Sequence, residues 1–422
     1  MKFVPSFWSE NHAPPAHPSF SGTAAVDVVV VGGGITGAST SLHLAQAGRE
    51  VILLESDYIG FGASGRNGGQ VIPGLKRDPD ELARLFGEEG ERLAVYGGTS
   101  ADKVFALIER HNIDCSPVRR GWVQGAHSIR AMSSVVARAR EWQKRGAPVE
   151  ILSRDETIAA LGTRRYHGAL IDRRAGAVQP FQFVRGLAAA AAALGARVHE
   201  ASPVRAIHAG DGAHRVRTDA GEVSARHVLI ATDALAGNLW PGLARSYVGV
   251  NSIQLVTAML SANQRAAILP AGCVVSETRK LSYYFRITPD GRFAIGGRGP
   301  LGDLTREEQT RHVVRAAIEL FPTLEGVEWE YAWAGAVGIT TDFLPHLAQL
   351  RPGIVAVVGY CGRGVAMASL MGEVLTRYVL EDSVRPFELK PLRTIPFHAL
   401  RKPGITAAMS WYKLTDALGI GS

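Results

Sequence analysis

The stretch from Val28 to Glu55, VVVVGGGITGASTSLHLAQAGREVILLE, constrains this chain more than any other. Its opening run, Val28-Val29-Val30-Val31, has the unbroken apolar pattern of a strand buried on both faces. Gly32, Gly34 and Gly37 follow at G-x-G-x-x-G spacing. Ile35, Ala38, Leu42 and Ala45 then recur at helical intervals up to a stop at Gly48, and a second buried strand, Val51 to Leu54, ends on Glu55. The spacing predicts a βαβ unit in which Gly32 allows a tight turn, Gly34 lets backbone approach a pyrophosphate and Gly37 lets helix pack on strand. The helix N-terminus turns unpaired N–H groups and the positive end of its dipole toward the phosphates. Glu55, about 20 residues beyond the glycines, stands where a carboxylate accepts hydrogen bonds from a ribose. The motif predicts a dinucleotide ligand and leaves NAD and FAD both open.

A chain of 422 residues is long for one core and predicts two or three domains. Its apolar share of 46% and charged share of 20% describe a globular protein without a long disordered tract. The formal charge of +7 comes from basic residues scattered among acids, as in RRYHGALIDRR, which excludes a nucleic-acid path. Cys115, Cys273 and Cys361 lie far apart without a C-x-x-C, so neither a disulfide framework nor a zinc site is expected. The histidines have no ligand spacing, and no metal is expected. The N-terminus lacks a basic segment followed by an apolar core, and the alanine-rich run from Leu187 to Leu194 is too short to span a bilayer. A cytoplasmic enzyme is the expectation.

Along the chain, residues 1–25 are rich in Pro, His and Ser and read as an irregular arm. Residues 59–74, IGFGASGRNGGQVIPG, form a glycine-rich stretch without periodicity, the composition of a functional loop. Helix spacing occupies 78–112, interrupted near Gly97-Gly98, and 128–144; Ser153 to Glu156 is a capping box. Pro180 opens a helix that ends at Gly195, strands follow to 231, and the last runs into ATDALAG. Residues 245–330 change to alternating strands such as Leu281 to Ile287, and 353–380 returns to a buried strand, the loop GYCGRG and a helix. The fold class expected is α/β with an α+β second domain. A discontinuous Rossmann-like FAD-binding domain would take 26–115, 166–240 and 331–385. An inserted mixed or antiparallel sheet domain would take 116–165 and 241–330 for the substrate, leaving the arm 1–25 and a C-terminal segment 386–422.

Three glycine-rich junctions, at Gly32–Gly37, Gly60–Gly69 and Gly359–Gly364, compete for one ligand, and an elongated one such as FAD uses all three. On VVVVGGGITGAS, GFGASGRNGGQ, AGAVQP, ATDALAG, WAGAVGITTDFLP and GYCGRGVAMASLMG, the chain resembles the glycine/D-amino-acid oxidase family of FAD-dependent oxidoreductases from about residue 26 to the C-terminus. Within it, GFGASGRNGGQ, LSYYFRITPDGRFAIGG and the tail look most like γ-glutamylputrescine oxidoreductases; GYCGRG is also similar to L-pipecolate oxidases. The resemblance implies FAD held by Gly32, Gly34, Ile35, Thr36, Gly37, Glu55 and Ser56. It further implies flavin contacts from Ala63, Ser64, Gly65, Arg66, Asn67, Gly68, Gly69 and Gln70, adenine at the backbone of Val204, and close approach at Ala231, Thr232 and Gly335. Gly359, Gly362, Arg363, Gly364 and Val365 would close over the ring. The implied reaction moves a hydride from the carbon bearing an amine to flavin N5, and the imine hydrolyses; positioning supplies most of the rate.

The chain also departs from its relatives. Arg66 and a WAGAVGITTDF segment without Cys stand where covalent branches carry their attachment residues, so the FAD is expected to be non-covalent. The carboxylate-binding Arg of D-amino-acid oxidases is replaced by Ala336, and the lysines of sarcosine oxidases by Ala366 and, near the second site, Ala294. For the substrate and catalysis the candidates are Tyr284 and Arg286, which share a strand face, and Arg363, directed at a substrate carboxylate or the flavin C2=O. Cys361 reads as a packed residue. The expected partner is a small-molecule amine, with oxygen or a quinone as acceptor. Alternatives are an L-pipecolate or D-amino-acid oxidase or dehydrogenase feeding a quinone, and a non-catalytic FAD-binding subunit. At the tail, Ala407, Trp411, Leu414 and Leu418 make an apolar stripe that packs on the body or meets a membrane surface or a partner.

Overall fold

A computed structural model describes residues 1–10, 17–382 and 386–418. Parts of the arm, of the expected 331–385 segment and of the C-terminal tail (residues 11–16, 383–385 and 419–422) lie outside the described residues.

The βαβ unit forms as its pattern requires. Gly22–Val31 lies at the centre of a nine-stranded sheet, paired in parallel with Val51–Leu54 on one side and Gly221–Ile230 on the other. Along these strands side chains alternate between two cores. Val28, Val30, Val51 and Leu53 pack under the helices Ile35–Gln46, Pro180–Ala193 and Gly364–Val379, whereas Val29, Val31, Ile52 and Leu54 pack on the opposite face. Burial on both faces is why these strands are uninterrupted apolar runs. The chain leaves Gly22–Val31 to one side, through Val51–Leu54 to Arg197–His199, then returns to Gly221–Ile230 and Ile354–Val358 on the other. This reversal opens a crevice at the strand carboxyl ends, where dinucleotides bind in open parallel sheets.

A second nine-stranded sheet runs Lys2–Phe3, Trp329–Ile339, Val248–Met259, Arg292–Arg298, Tyr284–Ile287, Val274–Glu277, Trp122–Gly125, Ala169–Asp172, Val149–Leu152. Its central strands are antiparallel. One face buries Ile253, Leu255, Phe285 and Phe293 beneath the helix Arg311–Leu320; the other looks toward the crevice.

Several local expectations differ in detail. Ala169–Asp172, expected with the FAD unit, pairs beside Trp122–Gly125, and Trp329–Ile339 pairs along its length with Val248–Met259. Short apolar strands of either sheet look alike in sequence, and the partner that sorts them is remote. The helical stretch is interrupted where expected, Pro79–Gly98 ending before Ser100–Arg110 begins, and it has a further break at Gly87, where φ is +59°. The arm is less irregular than expected: Lys2–Phe3 joins the second sheet, and Trp8 is buried. The C-terminal helix Arg401–Ala417 leaves Trp411, Leu414 and, just beyond it, Leu418 on its exposed side. Its inner side is tied by Asp416, which accepts from Lys280 N and Leu281 N at 2.9 and 3.0 Å. Among the described residues, no helix is long and apolar enough to cross a membrane.

Candidate active site and cofactor cradle

The crevice is a continuous cavity of about 1280 Å3 between the two sheets, above the roughly 300–1,000 Å3 of ordinary small-molecule sites. It runs from Glu55, Ser56 and Val204 past the first glycine turn to Gly68, Gln254 and Tyr284.

At one end the glycines act as their spacing predicts. Gly32 has φ of +108°, and a Cβ there would lie 2.9 Å from Ala231 O. A Cβ at Gly37 would collide with Gly32 O, so the helix packs this closely on the turn only with glycine. Gly34 is the N-cap and offers no side-chain cap. The Ile35 N–H is instead accepted by Ser64 Oγ at 2.9 Å, so the second glycine loop caps the first helix. Glu55 accepts from Gly33 N at 2.6 Å, Asp57 N at 3.0 Å and Ser56 Oγ at 2.9 Å. Burial pushes its carboxyl upward against the opposing pull of these donors.

The second loop is gripped from outside. Ser6 donates to Gly65 O at 2.7 Å, Trp8 Nε1 to Asn67 O at 2.8 Å and Trp333 Nε1 to Arg66 O at 2.7 Å. Arg66 and Asn67, expected as cofactor contacts, also brace their own loop. Arg66 Nε donates to Phe61 O at 2.7 Å, and Asn67 bonds Ser64 O and Gly69 N at 2.8 and 2.7 Å.

Arg286 requires a correction. It shares a strand face with Tyr284, but the loop covers it, and it does not line the cavity. Its Nη1 donates to Val178 O at 2.8 Å, Gly69 O at 3.3 Å and Gly68 O at 3.4 Å. Arg286 is therefore a positioning residue. Tyr284 does reach the cavity, its hydroxyl bonded to Ser252 Oγ. Gly296 faces Tyr284 across the strand pair, and a Cβ there would strike the phenol ring. Burial pushes the Tyr284 pKa up, so the phenol keeps its proton and works as a hydrogen-bonding group.

The third loop closes the cradle. Tyr360 and Thr36 share a hydroxyl–hydroxyl bond of 2.6 Å, and Asp233 accepts from Gly359 N at 2.7 Å. Asp233 takes φ of +42°, a left-handed conformation that asparagine and aspartate tolerate. Cys361 is buried and its thiol pushed up by desolvation, so it packs as a neutral side chain. Arg363 lines the cavity and stacks on Trp122 at 4.9 Å.

The cavity wall brings together Gly32, Gly34, Ile35, Thr36, Glu55, Ser56, Ala63, Ser64, Arg66, Asn67, Gly68, Gln70, Val204, Ala231, Thr232, Gly335, Gly362, Arg363, Gly364 and Val365. Gly37, Gly65, Gly69 and Gly359 stand behind it and let the chain pass close. FAD fits this arrangement: the adenosine end has a carboxylate and a helix N-terminus, and the buried hydroxyl of Thr232 faces the cavity without a protein partner. Glycines occupy the close passages between. Sequence reasoning missed Asp233, Ser252, Gln254 and Lys76. Asp233 was visible as an acid inside ATDALAG; Lys76 beside Arg77 reads as solvated surface. Among the described residues no acidic, His or Cys cluster has the makings of a metal site.

Comparison with known proteins agrees with this geometry. The model of the DAO family, FAD dependent oxidoreductase, matches residues 27–378. The chain is 32% identical over 402 residues to γ-glutamylputrescine oxidoreductase of Escherichia coli strain K12, covering 93% of each. It is 26% identical over 376 residues to glycine oxidase of Geobacillus kaustophilus, covering 86% of this chain and 95% of that one. The crystal structure of glycine oxidase from Geobacillus kaustophilus matches with a TM-score of 0.76 at 23% identity, covering 88% of this chain and 99% of that one.

Proposed function

This chain belongs to the DAO family of FAD-dependent oxidoreductases, and from that premise we propose that it oxidatively deaminates an amine of the γ-glutamylputrescine class, releasing an imine that water hydrolyses. The observation that carries this reading is the 32% identity to γ-glutamylputrescine oxidoreductase over 93% of both chains. The chemistry of FAD, when bound, is to accept a hydride from the carbon that bears the amine.

The protein's share of that reaction is placement. Tyr284, Ser252 and Gln254 offer neutral hydrogen-bonding groups to an uncharged amine, and the apolar core beneath their strands keeps the floor rigid. No buried base of high affinity is needed, because an amine that has lost its proton in solution reacts directly once oriented. The acceptor of the electrons is proposed to be oxygen or a membrane quinone. In the second case the exposed side of the C-terminal helix, with Trp411 and Leu414, is the surface that would meet the bilayer.

Anaerobic mixing of the holoenzyme with γ-glutamylputrescine tests the reading. Bleaching of the oxidised flavin band is expected; an oxidised flavin that persists against a panel of primary amines and amino acids would overturn it. Oxygen uptake, compared with quinone-dye reduction, then identifies the acceptor.

A further inference from the structure

One corner of the cavity holds more positive charge than the protein neutralises. It is bounded by the segment after the second glycine loop, the start of the helix Pro79–Gly98 and the loop before Gly364–Val379. Five cations approach it, and two are paired. Arg77 is held by Glu81, and Arg138 by both carboxylate oxygens of Asp78 and by Gln124. That consumes the acids of the corner. Lys76, Arg363 and Lys280 remain among the described residues. The Lys76 ammonium has neither a hydrogen bond nor an ion pair among the described residues, although it lines the cavity. Among the described residues, Arg363 Nη1 is buried without a hydrogen-bond partner, and its guanidinium lies over the Trp122 ring. Arg363 is also the N-cap of Gly364–Val379, so the free N–H groups of that helix add to the positive potential.

We propose that Lys76 and Arg363 form an anion subsite that binds a carboxylate at the end of the substrate remote from the reacting amine. This assignment rests on the reading of the enzyme as an amine oxidoreductase, and it narrows the substrate to amines whose far end carries a carboxylate.

Two like charges facing one cavity without a counter-ion repel each other, and a bound carboxylate removes that cost. The cavity wall acts on these groups in the free protein too. Desolvation, with Arg363, Arg138 and Lys280 nearby, brings the Lys76 pKa down to about 8, and desolvation brings Arg363 down to about 10. Planar Arg363, its guanidinium carbon 4.9 Å from the centre of the Trp122 ring, offers a fork suited to a carboxylate, while Lys76 supplies a compact charge. The unpaired charges explain the choice of end: the reacting amine, cationic until it loses its proton, is repelled from this corner and is left to the neutral wall at Tyr284 and Ser252.

The test compares γ-glutamylputrescine with N-acetylputrescine, which lacks the carboxylate, as anaerobic reductants of wild-type, Lys76→Met and Lys76→Arg holoenzyme. Lys76→Met is expected to raise the half-saturating concentration of γ-glutamylputrescine about tenfold or more while its limiting rate changes little. N-Acetylputrescine is expected to respond to neither substitution, and Lys76→Arg to restore the difference. An equal effect of Lys76→Met on both amines, or none on either, overturns the subsite. A second measurement does not depend on turnover: glutarate, but not glutaramide, should raise the melting temperature of the wild type and lose that effect in Lys76→Met. If no amine reduces the flavin, the functional reading fails, and the glutarate melts alone decide the subsite. Stabilisation by glutarate that survives Lys76→Met, or by inorganic phosphate to the same extent, counts against it.

Discussion

Tyr360 and Thr36 meet hydroxyl to hydroxyl at 2.6 Å across 324 positions of sequence. The bond ties the third glycine loop to the first turn of the helix that follows the first glycine turn, and both partners are buried. Tyr360→Phe leaves the Thr36 hydroxyl without its partner. It should cost about 1–3 kcal/mol, read as weaker FAD retention on dialysis and a lower melting temperature. The flavin-reduction rate of the loaded fraction should stay near wild type.

Arg286 and Tyr284 are expected to separate cleanly. Arg286→Met removes the donor to the carbonyls of Val178, Gly69 and Gly68 and should loosen the flavin loop, lowering stability by about 2–4 kcal/mol with loss of FAD. Tyr284→Phe keeps FAD and stability to within about 1 kcal/mol and should instead alter the half-saturating amine concentration. Urea melts and flavin content, measured on both variants, check the split; an FAD-replete, stable Arg286→Met would contradict the positioning role.

Gly37→Ala should abolish tight FAD binding. Its Cβ meets the Gly32 carbonyl, a backbone atom that cannot move without reopening the turn. Overpacking of this kind costs about 1–3 kcal/mol or more. Purification as a colourless protein is the expected outcome, with far-UV circular dichroism showing that the sheets persist.

The anion subsite carries a pH dependence of known sign. With its pKa near 8 in the free protein, Lys76 is charged below that value and neutral above it. Affinity for glutarate should therefore be full near pH 6–7 and fall as pH rises through about 8, with a bound carboxylate moving the midpoint upward. The groups that face Lys76 are Arg363, Arg138, Lys280 and Cys361. Lys76→Arg should flatten the profile. Calorimetric titration from pH 6 to 10 measures it.

Much of the cofactor end was legible in the sequence because its determinants are local. A turn of positive φ, a helix start and a buried strand each follow from a few adjacent residues, so the turn at Gly32, the helix start at Gly34 and the close packing at Gly37 could be read from spacing. The substrate end was less legible. Tyr284 and Arg286 were correctly put on one strand face, yet strand periodicity cannot tell that the Gly68-Gly69 loop covers one and leaves the other open. Nor could it tell that Trp8, in an arm read as irregular, is buried against the flavin loop. The tail stripe of Trp411 and Leu414 looked like a packing face, and the helix instead turns Met409, Tyr412 and Asp416 inward.

By itself, the sequence determined a βαβ dinucleotide unit and three glycine loops, since backbone sterics and hydrophobic periodicity act over a few residues. Only the tertiary structure decided which charges are neutralised. Asp78 was free to pair with Arg138 or with Lys76, and chain folding brought Arg138 to it from 60 positions away. Lys76 and Arg363 were left facing the cavity because electrostatic pairing depends on distance in space, which residue spacing does not encode.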